Sequence, residues 1–133
     1  QLRSLDLSGN NIGASGWAAV AESLVGLSAL EAVNGWQGYG CLRRGRLAEL
    51  AAKGALSRHQ VGVAVVASLV ARCAGSLKSM DLSHNMIGGG GASRLSFALS
   101  SLSRLQRIDL RGNNIGVRGW LAVTSALSGL GQL

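Results

Sequence analysis

The sequence predicts an α/β solenoid, in which short parallel strands form a concave sheet and helices cover the convex side. Three observations predict this fold. A segment recurs every 28 residues, each copy has the alternation of apolar and polar residues typical of a strand, and a helical spacing of apolar residues follows. One copy is too small to bury its own apolar face, so the copies must stack on one another.

The recurring segment is clearest in three copies, which run LRSLDLSGNNIGASG, LKSMDLSHNMIGGGG and LQRIDLRGNNIGVRG and begin at Leu2, Leu77 and Leu105. The spacing is 28 residues from Leu2 to Leu30, from Leu77 to Leu105 and from Leu105 to Leu133. All three copies fit the template L-x-x-(L/M/I)-D-L-(S/R)-x-N-x-I-G-x-x-G. We therefore interpret them as structurally equivalent units.

A strand opens the template. In the first copy, apolar Leu5 and Leu7 flank polar Asp6, which is the period of two of a strand with one buried face. An asparagine follows, and its amide group can donate and accept hydrogen bonds at the same time. We therefore expect the stacked asparagines to form a structural ladder that satisfies backbone groups of the turns. These asparagines are Asn10, Asn85 and Asn113.

A helix follows the last glycine of the template. Its apolar positions fall at i, i+3, i+4 and i+7, which is one face of an amphipathic helix. In the three copies these positions are Trp17, Val20, Ala21 and Leu24, then Ala92, Leu95, Ser96 and Leu99, then Trp120, Val123, Thr124 and Leu127. We interpret Trp17 and Trp120 as packing residues of the helices rather than as an aromatic binding platform.

The template resembles the leucine-rich repeat of the ribonuclease-inhibitor-like subfamily, which also occurs in NOD-like receptors and Ran GTPase-activating proteins. The resemblance is close over residues 1–29 and 77–133 and loose over 30–76. It implies a leucine-rich-repeat solenoid, or horseshoe arc. Ran GTPase-activating proteins act through an arginine on a repeat loop, but no motif of this sequence assigns that role to a particular arginine.

Residues 30–76 depart from the template. A strand-like start at Leu30 has no helix of the expected kind after it, and a second start follows at Leu47. One interpretation is a short helix-less turn over 30–46 and a repeat over 47–76, and the other is one repeat with a 19-residue inserted loop. With repeats at 1–29, 77–104 and 105–132, the chain is one domain. Polar end caps are absent from its sequence, so we expect an interior piece of a longer array, or ends that a partner covers.

The outward strand positions predict the side chains that line the concave face. They are Ser4, Asp6, Ser8, Ala32, Asn34, Trp36, Glu49, Ala51, Lys53, Ser79, Asp81, Ser83, Arg107, Asp109 and Arg111. The aspartates belong to the template, and Asp81 and Asp109 complete a predicted binding site with their basic neighbours. Better candidates for contact are the variable positions, since Trp and Arg are enriched among residues that dominate interface energies. They are Trp36, Lys53, Arg107 and Arg111.

The irregular segment supplies a second candidate binding surface. Trp36, Tyr39, Arg43, Arg44 and Arg46 lie within eleven residues, with glycines between them. Aromatic and arginine side chains on a flexible loop can stack on bases and pair with phosphates or carboxylates. The alternative is a loop whose aromatic residues pack on the core while its arginines are solvated.

Composition limits the class of protein. Of 133 residues, 47% are apolar and 14% charged, the opposite of a disordered chain. The longest apolar stretch, 61–71, is far shorter than the roughly 20 residues of a membrane helix, so no membrane insertion is expected. Cys41 and Cys73 match no zinc or redox spacing and predict reduced thiols in an intracellular, cytoplasmic protein.

Function is predicted from charge and from the residues available for chemistry. His59 and His84 have no nucleophile or metal ligand near them in sequence, and the glycine run 88–91 lacks the Lys and Ser or Thr of a phosphate loop. We expect no enzyme activity, metal or cofactor. The net charge of +7 favours acidic partners. We predict a protein-binding scaffold module within a larger assembly. The alternatives are contact with RNA or another polyanion, and GTPase-activator-like regulation.

Overall fold

The computed structural model of the chain describes residues 1–130, so the template position at Leu133 lies outside the described residues. Over these residues, five short strands alternate with helices. The strands are β1 Ser4–Leu5, β2 Ala32–Val33, β3 Glu49–Ala51, β4 Ser79–Asp81 and β5 Arg107–Asp109. The helices are α1 Gly13–Leu24, α2 Gly38–Arg44, α3 Ala55–His59, α4 Val63–Leu69, α5 Gly88–Leu99 and α6 Gly116–Ser128, and a 3-10 helix Val70–Cys73 follows α4.

All the strand pairs are parallel, and they form two sections of sheet. β1 pairs with β2, and β3, β4 and β5 pair in that order. The register places Glu49 opposite Ser79 and Ser79 opposite Arg107. Helices α4, α5 and α6 pack against one another in sequence order beside the strands. The prediction of an α/β solenoid is therefore confirmed.

The sheet is interrupted between β2 and β3 because the segment after β2 occupies the free edge of that strand. The backbone N–H of Trp36 donates to the carbonyl of Val33 at 2.8 Å, and Val33 N–H donates to the Trp36 carbonyl at 3.4 Å. Gly40 N–H donates to the Glu31 carbonyl at 3.0 Å. These groups are then unavailable to a following parallel strand.

The expectation of a helix-less turn over 30–46 is wrong, since α2 lies within it. Three buried residues follow one another at intervals of three: Trp36, Tyr39 and Leu42. This spacing places Tyr39 and Leu42 on one side of α2, and Trp36, just before the helix, lies on the same side. The helix ends at Gly45, which has φ 73° and donates its N–H to the Leu42 carbonyl. In the sequence, the glycines and arginines that surround these residues obscured the apolar spacing.

The helix positions predicted to be buried agree with the structure to different extents. Trp17, Ala21 and Leu24 of α1 are buried. The four residues predicted for α5, Ala92, Leu95, Ser96 and Leu99, are all buried too. In α6, Val123 is buried but Trp120 is 45% exposed, so the packing interpretation fits Trp17 better than Trp120. Across the described residues, every helix is too short or too polar to cross a lipid bilayer.

The close approach of α1 and α4 depends on a glycine. A Cβ atom at Gly62 would overlap the side chain of Trp17, which packs directly on that glycine. We expect Gly62→Ala to lower the free energy of unfolding by about 1–3 kcal/mol, the usual cost of overpacking. Urea unfolding followed by circular dichroism measures it.

The matched control is Gly90→Ala in α5, where a new Cβ would meet open space. Since alanine loses less conformational freedom than glycine in a helix, this control is expected to raise the free energy of unfolding by up to about 1 kcal/mol. Equal effects at both positions would contradict the packing of Trp17 on Gly62.

Candidate functional site

Two buried asparagines hold the turns that follow β4 and β5. The Asn85 side-chain oxygen accepts from the backbone N–H of Leu56 at 2.9 Å, and its amide donates to the carbonyls of Ala52 and Leu82. The Asn113 side-chain oxygen accepts from Asn85 N–H at 2.7 Å. Its amide donates to the carbonyls of Leu82 and Leu110, each at 2.9 Å. Successive repeats are thereby joined through their turns, which fixes the positions of the strand ends.

A third asparagine, Asn34, joins the first two strands to the rest of the chain. Its side-chain oxygen accepts from Leu7 N–H at 2.6 Å, and its amide donates to the Gln60 carbonyl at 3.1 Å. Asn10, by contrast, is exposed and bonds within its own turn, to the carbonyls of Leu7 and Ser8. The sequence missed this role of Asn34 because it lies outside the template spacing.

The section of sheet formed by β3, β4 and β5 presents charged side chains in rows. One row contains Glu49, Ser79 and Arg107, and the next contains Ala51, Asp81 and Asp109. Lys53, Ser83 and Arg111 follow at the strand ends. Lys53, Arg107 and Arg111 are exposed, and Asp81 and Asp109 are partly buried. Five candidate residues therefore share one accessible face, which we call the concave site: Lys53, Asp81, Arg107, Asp109 and Arg111.

The aspartates of the template bind the backbone two residues further on. Asp81 Oδ1 accepts from the N–H and the hydroxyl of Ser83 at 3.0 and 2.6 Å, and Asp6 accepts from Ser8 in the same way. In the last copy, Asp109 accepts from Arg111 N–H at 3.0 Å and from the Arg111 guanidinium at 2.8 Å. These carboxylates brace the strand ends as well as carrying charge.

The Asp109–Arg111 pair has a titration that can be tested. Hydrogen bonds from the Arg111 side chain, and then from its backbone N–H, lower the pKa of Asp109 from 3.8 to about 2. A carboxyl whose pKa is lower in the folded state stabilises the fold above its unfolded pKa, and loses that contribution as pH falls toward its folded pKa. We expect NMR titration of the carboxyl carbon to give an Asp109 pKa near 2, and Arg111→Ala to raise it toward 3.8. An unchanged pKa in this variant would contradict the pairing.

The concave site does not extend over β2, which corrects the prediction for three outward positions. Ala32, Asn34 and Trp36 are all buried. Asn34 and Trp36 are turned inward because the chain folds back directly after β2, where Asn34 has φ 53°. The concave site is therefore limited to β3, β4 and β5.

The aromatic residues of the irregular segment pack on the core, which corrects the interpretation of this segment as a flexible binding loop. Trp36 is 6% exposed and Tyr39 is 1% exposed, and the Tyr39 hydroxyl donates to the Leu24 carbonyl. Both aromatic side chains are part of the core, so neither is accessible to a partner. Burial raises the pKa of Tyr39.

The arginines of this segment lie at the end of α2. Arg43 donates to the Leu30 carbonyl at 2.8 Å and to the Glu31 carboxylate at 2.9 Å. Arg44 also pairs with Glu31, and its hydrogen bond is the largest cause that lowers the pKa of that carboxyl. Arg46 is exposed. Two of the three predicted binding arginines are thus held by an internal carboxylate.

The histidines and cysteines lie apart from the concave site or at its margin. His59 Nδ1 is 3.0 Å from the Asn34 carbonyl oxygen, and His84 is exposed in the turn after β4. Cys41 is partly buried and Cys73 is buried, and both are free thiols. Over residues 1–130, His, Cys, Asp and Glu form no group of three that could hold a metal ion.

Comparison with known proteins gives a match to one family. A sequence model of the leucine-rich repeat matches residues 2–21, 76–96 and 102–123. The first matched segment contains β1, the second β4 and the third β5, each with the start of the helix that follows. No curated protein matches the chain.

Proposed function

The chain is a leucine-rich-repeat protein, and from this premise we propose that it is a non-catalytic module that binds a protein partner through its concave site, as a component of a larger assembly. Leucine-rich repeats are generally protein-interaction modules, so the partner class follows from the family. The concave site supplies the surface. We also propose the ribonuclease-inhibitor-like subfamily, which is supported by the 28-residue register between β4 and β5 and by the helices of 12 and 13 residues.

One observation supports the concave site in particular. Three paired strands position Lys53, Arg107 and Arg111, which lie on or just after β3 and β5, and these two strands are about 10 Å apart, two intervals between parallel strands. Side chains on a rigid sheet lose less conformational freedom on binding than those on a mobile loop. Arginine is also enriched among residues that dominate interface energies. Lys53 and Arg107 join no ion pair within residues 1–130, so the site fits a protein surface that places carboxylates against these two cations.

The test is affinity purification from a cell extract with the native chain and the double variant Lys53→Glu, Arg107→Glu, followed by mass spectrometry. We expect discrete proteins that survive nuclease treatment to bind the native chain and to be lost, at least tenfold, with the variant, because like charges across an interface disfavour binding. The control is Arg94→Glu, Arg118→Glu, which changes the net charge by the same amount at exposed positions of α5 and α6.

The outcomes separate the possibilities. The proposal is supported if the bound proteins are lost with Lys53→Glu, Arg107→Glu and retained with Arg94→Glu, Arg118→Glu. Equal loss with both pairs attributes binding to net charge and rejects the concave site. Recovery that collapses with nuclease rejects a direct protein partner in favour of RNA.

A further inference from the structure

Six basic residues lie at the ends of helices or in the connections that lead from a helix to the next strand. Arg43 and Arg44 end α2, Arg72 lies in the 3-10 helix after α4, and the remaining three lie in the connections themselves. We call this group the basic edge: Arg43, Arg44, Arg46, Arg72, Lys78 and Arg104. None of its cations belongs to the concave site.

Hydrogen bonds between successive connections make the basic edge one continuous surface. The Arg72 guanidinium donates to the Arg43 carbonyl at 3.2 Å, and Ser76 Oγ donates to the Leu47 carbonyl at 2.8 Å. Lys78 N–H donates to the Ala48 carbonyl at 2.8 Å. Gln106 N–H then donates to the Lys78 carbonyl at 2.8 Å, which brings in the connection that contains Arg104.

Most of the charge of the basic edge is uncompensated. The connections 25–31, 45–48, 73–78 and 100–106 contain one acidic residue, Glu31, which pairs with Arg43 and Arg44. The other four cations are exposed, and none of them joins an ion pair within residues 1–130. A stabilising effect on helix C-termini accounts for Arg43, Arg44 and Arg72. It does not account for Arg46, Lys78 and Arg104, which lie beyond the helix ends.

We propose that the basic edge binds an acidic segment of a protein partner, one rich in Asp and Glu. This inference rests on the proposed function in that the partner is a protein, but it places a second contact outside the concave site. The Glu31 carboxylate, held by the guanidinium groups of Arg43 and Arg44, shows how an incoming carboxylate is bound. Arginine forks match carboxylate geometry, and five of the six cations are arginines.

Single-stranded nucleic acid fits the basic edge less well than an acidic peptide. Single-stranded nucleic acid is usually held by aromatic side chains that stack on its bases. The two aromatic residues next to the basic edge, Trp36 and Tyr39, are buried. The basic edge therefore offers charge and arginine forks without a stacking surface.

Binding of a fluorescent poly-glutamate peptide of about 15 residues, measured by anisotropy at low and moderate salt, tests the proposal. The variant is Arg46→Glu, Arg104→Glu, and the matched control is Arg94→Glu, Arg118→Glu. Each pair replaces two positive charges by two negative ones, so both proteins have the same net charge. We expect the edge pair to weaken binding at least tenfold and the control pair to change it by less than about threefold.

Equal weakening by both pairs would show attraction by net charge alone and would overturn the proposal. So would a duplex RNA of matched charge that binds more tightly than the peptide and loses affinity with the same edge pair. The concave variant Lys53→Glu, Arg107→Glu is expected to lose less peptide affinity than the edge pair. If the edge pair leaves peptide affinity unchanged while the concave variant no longer recovers its protein partner from the extract, the edge inference fails and the proposed function stands. Circular dichroism of each variant verifies folding.

Discussion

Replacing Asn113 by alanine is expected to lower the free energy of unfolding by roughly 3 kcal/mol, since each buried backbone group left without a partner costs about 1–3 kcal/mol. Asn113 is 2% exposed. Its loss removes the acceptor for Asn85 N–H and the donor to the carbonyls of Leu82 and Leu110. Two of these groups belong to the preceding repeat, so the coupling between the last two repeats weakens as well.

Urea unfolding of the native chain and of Asn113→Ala, followed by circular dichroism, gives this difference. Asn10→Ala is the matched control, because Asn10 occupies the same template position but is exposed and bonds only within its own turn. We expect the control to change the free energy of unfolding by less than about 1 kcal/mol. Comparable losses in the two variants would contradict an energetic difference between buried and exposed members of the ladder.

The template made most of the fold predictable. Three copies specify the strands β1, β4 and β5, and the apolar spacing after each strand specifies α1, α5 and α6. The repeat supplies this information because every copy must present the same apolar positions to its neighbours. The repeat and the periodicity within each copy together predict the parallel strands, the convex helices and the buried face of α5.

The segment 30–46 was not predictable in the same way because it has no second copy in the chain. The placement of Arg43 and Arg44 around Glu31 requires α2 to fold back over β2. The interruption of the sheet arises from backbone hydrogen bonds between Val33 and Trp36. Neither arrangement leaves a periodic pattern in the sequence, so the sequence left a flexible binding loop and a loop packed on the core as alternatives.

The exposed positions of the candidate site were predictable from the alternation of residues along the strands. Lys53, Arg107 and Arg111 lie on an exposed face, as strand alternation indicates. The hydrogen bonds of Asp109 with Arg111 require the turn geometry after β5, which alternation does not contain. Asn34 was assigned to the concave face by counting along β2, but its left-handed backbone turns it toward Leu7 and Gln60.

Trp36 links the irregular segment to the core. Its indole packs against Gly38, where an added Cβ would lie within 2.6 Å of the ring nitrogen. Its backbone closes the edge of β2 through Val33. Tyr39 and Leu42, which follow on α2, belong to the same buried cluster. The side chain therefore stabilises the position of α2 and, with it, the arginines at the end of that helix.

Trp36→Ala is accordingly expected to lower the free energy of unfolding by about 3–5 kcal/mol, the usual cost of emptying a buried tryptophan site. Trp120→Ala is the matched control, because the same truncation at a side chain 45% exposed should cost less than half as much. Urea unfolding measures both variants. If Trp36 were instead a surface contact residue, its replacement would leave stability near that of the native chain and reduce only partner binding. That result would support the interpretation of the irregular segment as a binding loop.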